Sequence, residues 1–560
     1  MRHALVATVL WLASPPVTWA AASAALTPAE KQASAAITEA SLRGPIRFLS
    51  HDLLEGRGPA TRGDALTQQY LVSEFETLGL KPAAPDGSYL QPFDLVGVNG
   101  HPQTLVAAGG GKRLELKYSG DFIAVSGHQG PESTLRDAEL VFVGYGIVAP
   151  EYNWDDFKGT DLKGKVLVMM NNDPEADPAL FGGKTRLWYG RWDYKYTMAE
   201  QVGAAGAIII HTQPSAGYPW QVVQTSWAGE QFELPVAPKA AALQVRAWAT
   251  EEASRALVGL AGKDLDALRA EAQKREFRPV PLGVRLNTSF KSAVQRKKTA
   301  NVLAVLPGSD PKLAAEVVVY SAHHDHLGVR TGAKPGEDDI YNGAEDNASG
   351  VAALLSIARA YTRLPKPPKR SVLFAAVAAE EQGLLGSEYL TAHPPVPAGA
   401  MAANINIDGA NIWGKTRDVT FVGLGKSSLD AWVTSLAATQ GRVVKADPMP
   451  DRGFFYRSDQ FNFAKLGVPA AYFGSGVDFI GKPEGWGKVQ REKWEEQDYH
   501  QPSDQLRDDW NLSGAVEDAQ LAFYVGLKVA QTPALPTWTK GDEFELPRKK
   551  ALEVLREQKR

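Results

Sequence analysis

Cysteine is absent from the 560 residues, which removes disulfides, thiolate nucleophiles and Cys-ligated zinc or iron–sulfur sites together. Any metal must therefore be held by His, Asp and Glu. Histidine is scarce as well: there are 10, and His323, His324 and His326 fall almost side by side. A charge excess is also missing, because 60 basic residues face 64 acidic ones for a formal charge of -4. No net field draws the chain to nucleic acid or to an anionic membrane surface. What is present, 44% hydrophobic and 22% charged residues over this length, suffices for two or three globular units and excludes a disordered polymer.

The first 24 residues read as an export signal. Arg2 and His3 precede an apolar stretch over 4–13, and small residues around 20–25 satisfy an A-x-A cleavage rule. A membrane anchor is the alternative, but Pro15 and Pro16 interrupt the run well short of the ~20 residues of a spanning helix. The mature chain is expected to begin near Ala25, to be periplasmic or secreted, and to have no membrane contact once the signal is removed.

Along the chain the pattern changes twice. Ala35, Ile37, Leu42, Ile46 and Leu49, then Tyr70, Leu71, Phe75 and Leu78, predict two helices around the loop Glu55-Gly56-Arg57-Gly58. From 138 to 285 short β-rich runs separated by Gly, Pro and Asn-Asp turns predict an inserted domain, with a helix over 198–205 and a strand over 206–211. Its aromatic cluster Trp188, Tyr189, Trp192, Tyr194 and Tyr196 could face a ligand, packing against the neighbouring domain being the plainer reading. From 301 onward strands are expected at 302–306, 317–322, 372–378, 403–407 and 470–473, with a helix over 349–363 stopped by Pro365. The expected division is thus 25–137 and 286–535 for an α/β domain, 138–285 for the insert, and 536–560 for a charged, solvated helical tail. The α/β alternation implies a mostly parallel sheet sandwiched by helices, with ligands gathered at the carboxyl ends of its strands.

Those strand ends carry the chemistry. His323 follows one predicted strand, Glu380 and Glu381 another, and Asp408 a third; Asp346 precedes a helix, and His500 lies in the loop Tyr499-His-Gln-Pro-Ser-Asp504. Glu380-Glu381 close an almost wholly apolar run, and burying adjacent carboxylates without a cation is very costly. Two imidazoles with several carboxylates suit zinc or a similar divalent ion, and a metal pair needs a bridging carboxylate.

The runs Ser321-Ala-His-His-Asp-His-Leu-Gly328, Asn342-Gly-Ala-Glu-Asp-Asn-Ala-Ser-Gly350, Ala379-Glu-Glu-Gln-Gly-Leu-Leu-Gly-Ser387, Asn406-Ile-Asp408, Arg457-Ser-Asp459 and Tyr499-His-Gln-Pro-Ser-Asp504 together resemble the co-catalytic di-zinc exopeptidases. That family includes bacterial leucyl aminopeptidases, glutamate carboxypeptidase II and the non-catalytic transferrin receptor. The N-terminal Leu54-Glu-Gly-Arg57 is similar to the family's opening segment. The β-rich insert, through Lys165-Val-Leu-Val and Gly203-Ala-Ala-Gly-Ala-Ile-Ile-Ile210, resembles a protease-associated domain.

The resemblance implies two zinc ions per chain, His323 and Asp408 binding one, Glu381 and His500 the other, and Asp346 bridging them. It implies Glu380 as general base, Asp325 as acceptor for the other N–H of the His323 imidazole, and a cis peptide between Asp346 and Asn347. His324 and His326 are not expected to be ligands. Peptides are the expected substrates and nucleic acid is not a partner; the oligomeric state is open.

Specificity is less defined. Arg457 could meet a substrate carboxylate or make a structural salt bridge, and Tyr456, Tyr472 and Phe473 could wall a pocket or fill the core. No dense arginine cluster adjoins the motifs in the sequence, which favours an aminopeptidase over a carboxypeptidase or dipeptidase on the same core. A binding protein without catalysis is disfavoured because every expected ligand and the base are in place. The insert is expected to cover the active-site mouth.

Overall fold

The strand Val317–His323 is buried at every position, as its Val-Val-Val-Tyr-Ser-Ala run requires in a sheet covered on both faces. In this computed structural model, which describes residues 25–227, 229–237, 242–330 and 332–558, it lies near the middle of a 10-stranded sheet. The expected export signal lies outside the described residues. The strand pairs in parallel with Ser371–Val377 on one side and Met401–Asn406 on the other, and the latter in parallel with Ala470–Gly474. Around them the pairings turn antiparallel: Ala293–Leu306 pairs with Ser371–Val377 and with Leu90–Asn99, and Asp418–Val422 with Ala470–Gly474, although Val443–Ala446 at that edge pairs in parallel with Asp418–Val422. The sheet is therefore mixed, with four parallel strands at its centre, and their aligned carboxyl ends form one crevice.

Helices Glu39–Leu49, Gly350–Thr362 and Ser513–Gln531 contribute to the core on one face. Helices Glu39–Leu49 and Arg62–Thr77 are capped by Thr38 and Thr61, whose hydroxyls accept the backbone N–H of Ser41 and Asp64. Between them a 3₁₀ turn, Asp52–Arg57, carries Arg57 into the interior.

A second, 8-stranded sheet runs in the order Lys112–Lys117, Thr104–Gly109, Val280–Lys291, Glu132–Phe142, Val166–Met170, Gly206–Ile210, Val245–Ala249, Phe122–Ser126. It has its own apolar core. It takes in strands from Thr104 onward, earlier than the expected boundary at 138, because the hairpin Thr104–Lys117 pairs with Val280–Lys291. Its helix Trp192–Gln201 starts six residues before the expected 198. A short strand, Gln231–Glu233, returns to pair with Val96–Val98 at the edge of the first sheet, tying the two layers together.

The C-terminal helix Glu545–Gln558 is docked, in contrast to the solvated tail expected from its charge. Arg548 and Leu555 are buried, and Arg548 donates to the carbonyl of Met401 at 2.9 Å. Its cationic sequence conceals a side chain whose partners lie some 150 residues away. Among the described residues no helix is long and apolar enough to cross a membrane.

Candidate metal centre

His323 ends its strand, Glu380 and Glu381 follow the neighbouring one, and Asp408 follows the next, so parallel pairing alone sets three of the expected groups side by side. Asp346 arrives on an irregular turn before helix Gly350–Thr362, with a cis peptide to Asn347 as the resemblance implied. Asp504 holds this turn, its carboxylate accepting the backbone N–H of Glu345 and Asp346 at 2.9 and 3.1 Å.

The side chains converge in two groups that share Asp346. Nε2 of His323 lies 3.2 Å from Oδ1 of Asp346 and 3.2 Å from Oδ1 of Asp408. Nε2 of His500 lies 3.2 Å from Oδ2 of Asp346 and 3.0 Å from Oε2 of Glu381. Each oxygen of Asp346 thus faces a different imidazole. Nε2 of His500 is buried between Oδ2 of Asp346 and Oε2 of Glu381, and no hydrogen bond of good geometry satisfies it. Two imidazoles, three carboxylates and no sulfur form a donor set that fits a pair of divalent ions such as zinc. Oε2 of Glu380 stands 3.9 Å from Nε2 of His323.

Electrostatics agree with a cationic occupant. Burial opposes charge on both imidazoles, yet Glu380 and Asp408 hold His323 well above the usual histidine range, and Glu381 and Asp346 push His500 up to about 10. Burial, with Asp408 and Glu381 adding to it against His323, pushes the Glu380 carboxyl well up. Positive charge between these carboxylates is strongly favoured in any form.

Supporting contacts differ from expectation at Asp325. The Nδ1 of His323 is 3.2 Å from the Asp325 backbone carbonyl and 3.8 Å from its carboxylate. That carboxylate instead accepts the backbone N–H of Glu380 at 3.0 Å and of Glu381 at 3.4 Å, because the turn after His323 swings it over the end of the adjacent strand. His324 points away and meets Asp64 at 3.1 Å. His326, not expected as a ligand, contacts Oε1 of Glu381 through Nδ1 at 2.6 Å, and it forms a His326, Asp346 and Glu381 group close enough to hold an ion.

Sequence reasoning expected the inserted domain over the mouth but not its direct contact with a residue of the site. Ser226, on its helix Trp220–Ser226, places its hydroxyl 2.9 Å from Nδ1 of His500. The cleft over the site is lined from both sides, by Trp192, Tyr218 and Trp227 of that domain and by Tyr456, Tyr472 and Tyr499 of the first. Most of the aromatic cluster packs: Trp188 meets Tyr194 and, across the interface, Phe461 at 5.9 Å. Tyr456 is buried with its hydroxyl on Glu543, and Phe473 packs on Phe421. Arg457 makes no salt bridge among the described residues; it lies over Tyr218 and Phe454.

Residues 301–524 match Peptidase family M28. Leupeptin-inactivating enzyme 1 of Streptomyces exfoliatus is 27% identical over 252 residues, 44% of this chain and 51% of that protein. Aminopeptidase YwaD of Bacillus subtilis is 24% identical over 371 residues, 64% of this chain and 62% of that one. The chain thus spans 51% and 62% of the length of these two curated relatives. Among solved structures, an aminopeptidase from Aneurinibacillus sp. strain AM-1 shares the fold with a TM-score of 0.52 and 19% identity, over 90% of this chain and 97% of that one. The segment that carries His323, Asp346, Glu380, Glu381, Asp408 and His500 lies wholly inside the region that matches Peptidase family M28.

Proposed function

We propose that the protein is an exported metallo-aminopeptidase that removes N-terminal residues from peptides, with two zinc ions held by His323, Asp408, Glu381 and His500 and bridged by Asp346. The observation that carries this reading is the placement of the two Asp346 oxygens, each 3.2 Å from a different imidazole. When bound, such ions polarise a carbonyl and lower the pKa of water. Aminopeptidase is also the activity named for the Bacillus subtilis relative.

In this reading the chain's own groups do the rest. Glu380 adjoins the donor set without belonging to it, 3.9 Å from Nε2 of His323, so its carboxylate is free to handle protons. It can therefore take a proton from the attacking water and pass it to the leaving amine. Asp325 fixes Glu380 and Glu381 through their backbone N–H groups. The second sheet's domain, read as a protease-associated insert, covers the cleft with Trp192, Tyr218 and Trp227 and restricts access to narrow chain ends.

The test is hydrolysis of leucine anilide beside its N-acetylated twin, with metal measured on the same sample. Cleavage of the free amine alone, lost on chelation and restored by zinc, is expected. Cleavage of N-blocked peptides from their carboxyl ends would replace this reading with the carboxypeptidase one, and two bound metals with no hydrolysis of any peptide would make the protein a binder. His323→Ala and His500→Ala are each expected to lower metal content; two zincs retained in both variants would reject the ligand set.

A further inference from the structure

The cleft is also lined by arginines drawn from three separate stretches of sequence: Arg186 and Arg191, Arg452 and Arg457, and Arg491. Three of them are neutralised. Arg191 pairs with Asp193 at 3.0 Å, Arg452 with Glu495, and Arg491 with Glu495 at 3.3 Å and Glu345 at 3.6 Å. Arg457 and Arg186 are in no ion pair among the described residues.

Both guanidiniums are nonetheless held in place. Arg457 is sandwiched between the rings of Tyr218, at 5.3 Å, and Phe454, at 5.0 Å, and gives one hydrogen bond, to the Tyr499 hydroxyl at 3.3 Å. Among the described residues its Nε and Nη1 have no protein acceptor. Arg186 is buried, donating from Nε to Asn172 at 2.7 Å and from Nη2 to the Ser215 carbonyl, which leaves Nη1 over. Its stem threads between Gly190 and Gly453, where a Cβ on either residue would come within 3.0 Å of it. Asp173 and Asp451 act on Arg186 from beyond ion-pair distance, while Arg457 opposes it as a like charge. Against burial, the Tyr499 and Tyr218 rings and Glu495 favour the Arg457 charge, and two rigid guanidiniums lining one cavity with donors to spare are suited to receive a carboxylate.

The metal-binding end is close by. The Tyr499 ring that receives Arg457's hydrogen bond lies 4.0 Å, centroid to centroid, from the His500 ring. An extended peptide advances about 3.5 Å per residue, so two or three residues span from the carboxylate-rich end to the arginines. The cleft is thus acidic at one end and basic at the other, the complement of a short zwitterionic peptide.

We propose that Arg457 and Arg186 form a carboxylate-binding subsite, and that the favoured substrates are peptides bearing a carboxylate within about three residues of the free amino terminus. The carboxylate is the C-terminal one of a di- or tripeptide or the side chain of an acidic residue. The proposal rests on the aminopeptidase reading above.

The experiment compares matched pairs on the zinc-loaded full chain: Leu-Gly against Leu-Gly-amide, and Leu-Glu-amide against Leu-Gln-amide, with leucine anilide as a substrate lacking any carboxylate. At least one acidic member should exceed its neutral twin about 10- to 100-fold in kcat/KM, mostly through KM. The first pair reports an α-carboxylate, the second a side chain. In Arg457→Gln, with zinc content and circular dichroism as fold controls, the ratio should fall to near one, and Arg457→Lys should restore part of it. Equal rates within both pairs of the wild-type protein, or a ratio that survives Arg457→Gln, would overturn the subsite; the wild-type pairs decide this even if the variants fail to fold. Hydrolysis of leucine anilide alongside equal pairs would leave the aminopeptidase reading standing, whereas no hydrolysis of any free-amine substrate would end both.

Discussion

The hydroxyl of Ser226 lies 2.9 Å from Nδ1 of His500, so a residue of the second sheet's domain steadies an imidazole that belongs to the first. Six residues on, the N–H of Phe232 donates to the Gln382 side chain at 3.0 Å, next to Glu381. The same stretch of the covering domain therefore touches both sides of the His500–Glu381 pair. Partners of this kind fix ring orientation and raise ligand basicity, and losing one typically costs 10- to 100-fold in metal affinity. Ser226→Ala is expected to weaken zinc binding by about tenfold or more in competition with a chromophoric chelator. An unchanged affinity would mean that the covering domain shapes access alone.

Glu380→Gln separates binding from chemistry. The amide is isosteric and Glu380 is not among the five expected ligands, so both zincs should remain. Loss of the proton shuttle should lower kcat by about 10²- to 10⁴-fold. A variant retaining more than a tenth of wild-type turnover would take Glu380 out of the base role.

Arg57 is the buried fastener of the site. Its guanidinium donates to the carbonyls of Asn342 at 2.7 Å, Gly343 at 2.9 Å and His324 at 2.9 Å, and to Leu49, and burial lowers its pKa to about 10. It thereby joins the turn that carries Asp346 to the loop after His323. Arg57→Met would leave these carbonyls unpaired, at a cost of roughly 3–5 kcal/mol. Chemical denaturation should show that loss together with reduced metal content, and wild-type values for both would refute the fastening role.

The positions of His323, Asp346, Glu380, Glu381 and Asp408 were legible because each sits at a predictable boundary of an apolar strand or helix, where periodicity ends and a polar group begins; His500, in a loop after a polar helix, was reached only through the motif Tyr499-His-Gln-Pro-Ser-Asp504. Fold class followed from the same alternation. Arg457 was singled out as a group that could meet a substrate carboxylate, but Ser226, His326 and the gathering of the other arginines around Arg457 were not legible, for a physical reason. They act across interfaces, with sequence separations of 274 for Ser226 and His500 and 55 for His326 and Glu381, and no local pattern marks a side chain whose partner lies that far away. The arginines show this most clearly: 186–191, 452–457 and 491 look like scattered surface cations until the two sheets close on one another. Asp325 was implied by the family resemblance, yet the resemblance could not say which of its oxygens would face the ring.

The covering domain should lose stability in mild acid through His211. This side chain is buried beside Trp220 and Trp248, with Nε2 3.1 Å from the Tyr218 carbonyl. Burial drives its pKa down to about 4, and the carbonyl contact offsets this only in part. The folded imidazole is therefore neutral where the unfolded one, near 6.5, takes up a proton. The unfolded state binds more protons between these values, so stability is full above about 6.5 and is lost as pH falls toward 4, by up to about 3 kcal/mol. Denaturant unfolding followed by tryptophan fluorescence at pH 7 and pH 4.5 should show this loss in wild type and a smaller one in His211→Gln, which keeps a donor and cannot titrate. An equal loss in the two proteins would assign the acid sensitivity to other groups.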